Sequence, residues 1–160
     1  MRDGSILAAS HDGVYVIRLV GDVRLTLCTT IDDYFQRMFE DPDFTSVWVD
    51  LCEAEGIDST TLGLLAKLAL KVKATFGFKP AIYSCDSGIN RLLKSMGFQS
   101  LFDIREEVCA DPQGISEVPW IAGSEEGVKE KVIEAHRVLM GLSDDNRVRF
   151  QDLMSALERG

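Results

Sequence analysis

Apolar runs at Ile6–Ala9 and Val14–Val20 flank His11-Asp12-Gly13. An Asp-Gly pair between two such runs is the strongest short-range hairpin signal, so the chain should open with two antiparallel strands. After the polar turn at Gly21-Asp22, residues Leu27, Ile31, Tyr34, Phe35 and Met38 recur at helical spacing until Asp41-Pro42 stops them. Ser46–Leu51 and Ala81–Ser84 are rich in β-branched and aromatic residues and read as strands. Between them, Thr60–Thr75 places Leu64, Leu65, Leu68, Ala69 and Val72 on one side of a helix that Gly77 closes. A shorter helix, Ser87–Met96, ends at Gly97, and Leu101-Phe102 is expected as a last short strand. Strands alternating with helices indicate an α/β layer with some parallel pairing.

The pattern changes after residue 110. Ala110-Asp111-Pro112-Gln113-Gly114 through Trp120 has two prolines and no helical period. Beyond it, Val128, Val132, Ala135, Leu139 and Leu142 make one apolar stripe, and Phe150, Leu153, Met154 and Leu157 make another. Ser143-Asp144-Asp145-Asn146 offers N-capping side chains between the two. The expected organisation is a domain over 1–110, a linker over 111–123 and a helical hairpin over 124–160. The linker looks long enough to let the hairpin move and serve a partner.

Composition narrows the classes. With 46% hydrophobic and 27% charged residues the chain is globular, and its net charge of −9 argues against binding nucleic acid through phosphate neutralisation. Net charges of −5 over 1–110 and −4 over 111–160 leave no basic half for a membrane or DNA. The longest apolar stretch, Leu62–Phe78, is interrupted by Lys67, Lys71 and Lys73, so no membrane span is expected. The segment after Met1-Arg2-Asp3-Gly4-Ser5 is too short in apolar residues for a signal peptide. Cys28, Cys52, Cys85 and Cys109 form no CxxC pair and lie beside apolar residues. They read as reduced core residues of a cytoplasmic protein, with no zinc or other metal site.

Ordinary catalytic motifs are missing. The only histidines are His11, in the hairpin turn, and His136, in the appended helices, and there is no GxSxG, Walker loop or GxGxxG. No catalytic residue and no cofactor are therefore expected. Asp50 closes Val47-Trp48-Val49-Asp50 in the manner of a phosphate-accepting strand-end aspartate. The acidic metal-binding pair that such domains need is absent, so Asp50 reads as a strand-end charge facing water. The informative stretch is Ile57-Asp58-Ser59-Thr60-Thr61-Leu62-Gly63. A helix begins there with Asp58 or Ser59 as N-cap, and its N–H groups and dipole favour an anion or a phosphoryl group on Ser59. A plain structural cap is the alternative reading of the same residues.

Asp58-Ser59-Thr60-Thr61-Leu62-Gly63 resembles the Asp-Ser-Ser/Thr-Gly-Leu-Gly signature of bacterial anti-sigma factor antagonists, of the STAS domain family. Gly21-Asp22-Val23, Val47-Trp48-Val49-Asp50-Leu51, Asn90-Arg91-Leu92-Leu93 and Met96-Gly97-Phe98 fall in the family's order around it. The resemblance covers about residues 5–107. It implies a mixed sheet of four to five strands with helices packed on one side, to which this chain adds a C-terminal helical extension. It also implies a non-enzymatic, monomeric switch. Unmodified, it binds an anti-sigma factor or switch serine kinase and frees a sigma factor. Phosphorylation of Ser59 reverses this, and a metal-dependent serine phosphatase restores it.

By the same resemblance Asp58 orients the serine, Thr60, Thr61, Leu62 and Gly63 form a partner-facing rim, and Asp22 and Arg24 lie on the neighbouring turn. Two residues depart from the pattern. Thr61 replaces the usual Gly and makes the docking side bulkier, while Arg24 replaces an acid and could reach a phosphate on Ser59. Two other readings remain open: a small-ligand or nucleotide sensor using the same helix start, and an adaptor that binds through its C-terminal helices.

Overall fold

In the computed structural model, which describes residues 2–160, the strand-forming runs assemble into one mixed sheet. Met1, where the expected first domain begins, lies outside the described residues. Strands β1 (Ser5–His11) and β2 (Val14–Val23) form the antiparallel hairpin. Asp12 and Gly13 turn it with φ of +50° and +84°. A Cβ on Gly13 would also lie 1.7 Å from the Asp43 carbonyl oxygen, so only glycine fits. Strands β3 (Ser46–Ile57), β4 (Ala81–Tyr83) and β5 (Asp103–Arg105) add in parallel on the β2 side, and β6 (Ser116–Glu117) pairs antiparallel with β1. The order is β5-β4-β3-β2-β1-β6.

Three helices make the parallel crossovers: α1 (Cys28–Glu40), α2 (Ser59–Phe76) and α3 (Ser87–Ser95). Each crossover steps in the same direction along the sheet. Right-handed crossovers of this kind leave all three helices on one face. That face holds the core, with Ile17, Leu19, Val47, Val49, Leu51 and Ile82 fully buried against Ile31, Leu65 and Leu68.

The sheet has six strands where four to five were expected, because the segment after residue 110 supplies β6. The fifth strand is Asp103–Arg105, not Leu101-Phe102. Those two residues, buried in the preceding turn, plug the core below it. Not every cysteine is a core residue. Cys28 and Cys109 are buried, Cys52 is half-buried and Cys85 is exposed. Burial pushes the Cys52 thiol up to about 12, and the hydrogen bond with Cys85 adds to it; burial pushes Cys109 up to about 11. Both thiols stay protonated and unreactive at neutral pH.

Asp50 does not face water. Strand alternation turns Trp48, Asp50 and Cys52 to the sheet face opposite the helices, where residues 107–113 lie across it. Arg18, the register partner of Asp50, donates from Nε to Asp50 Oδ2 at 2.7 Å and from Nη2 to Asp111 Oδ1 at 2.6 Å. The carboxylate is 2% exposed.

The linker is tied along its length. Besides Asp111 and β6, the Gln113 carbonyl accepts from His11 Nε2 at 3.0 Å, and Val118 N–H donates to the Ile6 carbonyl at 2.8 Å. Trp120 Nε1 donates to the Thr26 carbonyl and Ile121 N–H to Thr30 Oγ1. The chain then enters the hairpin of α4 (Glu125–Met140) and α5 (Asp144–Arg159), with Ser124 and Ser143 as N-caps. Helix α4 lies on α2, outside the first helical layer. At the other end, the buried Asn146 donates from Nδ2 to the carbonyls of Met96 and Leu139, pinning α5 to the end of α3.

Candidate functional site

Strand β3 delivers the chain to the start of α2 at Ile57, and Asp58 is the N-cap. Its Oδ1 accepts from Thr61 N–H at 2.9 Å, and its Oδ2 accepts from Leu25 N–H at 2.7 Å. One carboxylate therefore fixes both the helix start and the turn after β2. In that turn Arg24 Nε pairs with Asp22 Oδ2 at 2.6 Å, and the Arg24 side chain is 65% exposed. The Asp22 hydrogen bond and charge raise the guanidinium pKa further, with a smaller contribution from Asp58. Asp22, Arg24 and Asp58 thus share one corner with Ser59, the first residue of α2.

The expected rim is not on the surface. Thr60, Thr61, Leu62 and Gly63 are all buried. Thr61 turns its extra bulk inward rather than toward a docking side, and its hydroxyl has no hydrogen-bond partner among the described residues. Helix α2 was expected to be buried on one side only. Its first half is buried all round, because α4 covers what would have been its solvent face.

Ser59, Gly63 and Lys67 lie at i, i+4 and i+8 on that covered face, and each meets α4. Ser59 Oγ lies 2.7 Å from His136 Nε2. A Cβ on Gly63 would sit 2.3 Å from the Ala135 carbonyl oxygen, so the helices close over glycine. Lys67 Nζ pairs with Glu134 at 2.9 Å, and Lys67 and Lys131 both reach the buried Asp32 at 3.4 Å. Burial works against the Lys67 charge, but the bonds to Glu134 and Asp32 outweigh it and its pKa rises.

His136 was not expected to meet a serine. The other ring nitrogen settles its tautomer. Nδ1 lies 2.7 Å from the Val132 carbonyl, which can only accept, so Nδ1 carries the proton. Nε2 then accepts from the Ser59 hydroxyl. That is the donor order of a nucleophile and a base. Behind the imidazole stands a backbone carbonyl, and the ring is 2% exposed, edge-on to Phe150 at 5.2 Å. The contact holds Ser59 in place. A signal for it was present in the sequence, since His136 follows Val132 by four residues and adjoins the α4 apolar stripe.

Ser59→Ala should strip the buried Nε2 of its only donor and lower stability by about 1–3 kcal/mol, read by urea denaturation. In the parent protein, imidazole nitrogen NMR should show His136 as the Nδ1–H tautomer. A stability change within a few tenths of a kcal/mol, or an Nε2–H ring, would contradict the contact.

Residues 5–110 match the model of the STAS domain family. The chain belongs to that family. A crystal structure of an anti-sigma factor antagonist from Mycobacterium paratuberculosis shares the fold of this STAS protein, with a TM-score of 0.56. The two are 20% identical over 66% of this chain and 87% of that one. A search of curated proteins gives no match. The family match ends at residue 110, so the α4–α5 hairpin lies wholly outside it. No helix among the described residues is long and apolar enough to cross a membrane.

Proposed function

We propose that this STAS protein is an anti-sigma factor antagonist, a binding switch rather than an enzyme, controlled by phosphorylation of Ser59. The observation that carries the reading is the placement of Ser59. It is the first residue of α2, beside an N-cap aspartate, in the stretch that resembles the family's phosphorylated signature and within the matched domain. Unmodified, the domain binds an anti-sigma factor or switch kinase and frees a sigma factor; a metal-dependent serine phosphatase resets it.

The electrostatics suit a switch. Phosphate adds about −1.5 to −2 charges. The neighbouring Asp58 is negative, while Glu53 and Glu55 are already matched by Arg18 and Arg2. The helix start accepts the phosphate without unfolding, but an acidic partner surface facing it meets like charge, which costs several kcal/mol. At about 1.4 kcal/mol per tenfold, that is loss of binding by two orders of magnitude or more.

Affinity capture from the native cell with Ser59→Ala and Ser59→Asp baits, both held well below their melting temperatures, tests this. The Ala bait should retain at least one partner that the Asp bait loses, and protein from the cell should carry phosphate at Ser59. Identical captures together with an unmodified serine would refute the switch.

A further inference from the structure

The α4–α5 hairpin occupies the face of α2 on which Ser59 would be modified. We propose that docking of α4 and a phosphate on Ser59 exclude each other, so that the hairpin is an intramolecular cover which phosphorylation lifts. This rests on the reading of Ser59 as the modified residue.

Space decides the exclusion. A single proton spans the 2.7 Å between Ser59 Oγ and His136 Nε2. A phosphorus atom and three oxygens do not fit there. The imidazole cannot retreat by itself, because Nδ1 is held by the Val132 carbonyl and the ring abuts Phe150. A retreat of α4 at His136 also opens the close contact between Gly63 and the Ala135 backbone, four residues along α2. Relief requires α4 to move as a unit.

Charge decides which side moves. The phosphate sits at the N-terminus of an 18-residue helix, where N–H groups and the dipole favour it. Helix α4 offers it the His136 ring, the Glu134 carboxylate and Lys131, already shared with Asp32, while Lys67 on α2 itself is tied to Glu134 and Asp32. The anion therefore stays with α2 and the cover leaves. On α2 it leaves exposed the Ser59–Gly63–Lys67 strip, small and polar, while the contacts that Leu139 and Phe150 make with the core set the cost of lifting. Linkage makes the effect reciprocal: a hairpin that must lift before Ser59 is modified is held off once Ser59 carries phosphate.

The test installs phosphoserine at position 59 during synthesis, by an expanded genetic code, and follows hydrogen exchange by mass spectrometry. Amides of 132–140 in the full-length phosphoprotein should exchange at least tenfold faster than in the unmodified chain, while β2 and β3 keep their protection. Alkaline phosphatase should restore the slow rate, which also shows that the phosphoprotein was folded. Ser59→Asp is a second arm, expected to speed the same amides at least threefold. Unchanged protection of α4 in both proteins, as when the imidazole turns cationic and holds the anion in place, would overturn the proposal. Because the phosphate is installed rather than acquired, a serine that the cell never modifies would sink the proposed function and leave this result standing.

Discussion

Replacing Asp50 by alanine is expected to destabilise the protein by about 3–5 kcal/mol, the range for removing one partner of a buried ion pair. The Arg18 guanidinium would keep only Asp111, whose side chain is 86% exposed, and Glu53 at 3.4 Å. Exposed carboxylates of this kind compensate a buried cation weakly, typically by less than about 1 kcal/mol. Asp50 Oδ1 also accepts from Cys52 N–H at 2.9 Å, so the same change removes a second bond at the middle of β3. In a chain of this size each kcal/mol shifts the melting temperature by about 2–4 °C, so the variant should melt roughly 6–20 °C lower. Replacing both partners, as Arg18→Met with Asp50→Leu, should recover most of the loss, because the uncompensated charge goes with its partner. A thermal melt of Asp50→Ala within a degree or two of the parent would show that the pair contributes nothing.

Why Asp50 was misread from sequence is a matter of reach. The run Val47-Trp48-Val49-Asp50 shows where a strand lies and which residues alternate, but not what covers its second face. That face is closed by residues 107–113, more than 50 positions away, and by an arginine on a neighbouring strand whose pairing depends on register. The local signals were different. Asp12-Gly13, the Asp58 cap and the stops at Gly77 and Gly97 each depend on a few adjacent residues, and each lies where the sequence places it.

The site divides along the same line. That Asp58 caps α2 and that Ser59 opens it could be read from residues 57–63 alone. That Thr60 through Gly63 are all buried could not, since Gly63 is covered by a helix 70 residues downstream. Residues 60–66 carry no charge, and Gly63 and Ala66 are small. Taken together they point to a helix packed on two sides rather than one. His136 could have been found from the same reasoning, as a titratable residue on the buried face of an amphipathic helix.

Cutting the chain after residue 110 should cost far more stability than cutting it after residue 123. The segment 111–123 closes the outer sheet face and protects the β1 edge. Losing it exposes the buried Val118, worth about 1.5–3 kcal/mol. It also removes the β6 pairing on Leu7 and Ala8, the bond from Val118 N–H to the Ile6 carbonyl, and the bonds from Trp120 and Ile121 to Thr26 and Thr30, each worth about 0.5–1.5 kcal/mol. An unpaired β1 edge further invites association between chains. The hairpin is different. Leu139 and Phe150 reach the main core, but Ala135, His136 and Met154 are buried partly between the two helices, and the strip of α2 beneath α4 is small and polar. The 2–123 fragment should therefore stay folded, a few degrees less stable than the parent, with His136 gone and Ser59 open to solvent. The 2–110 fragment should melt on the order of 10 °C below 2–123, or aggregate. Differential scanning calorimetry of the two fragments decides it. If 2–110 and 2–123 melt together, the strap contributes no stability. If 2–123 fails to fold while the full chain is stable, the hairpin is an integral part of the core and could not serve as a cover that lifts.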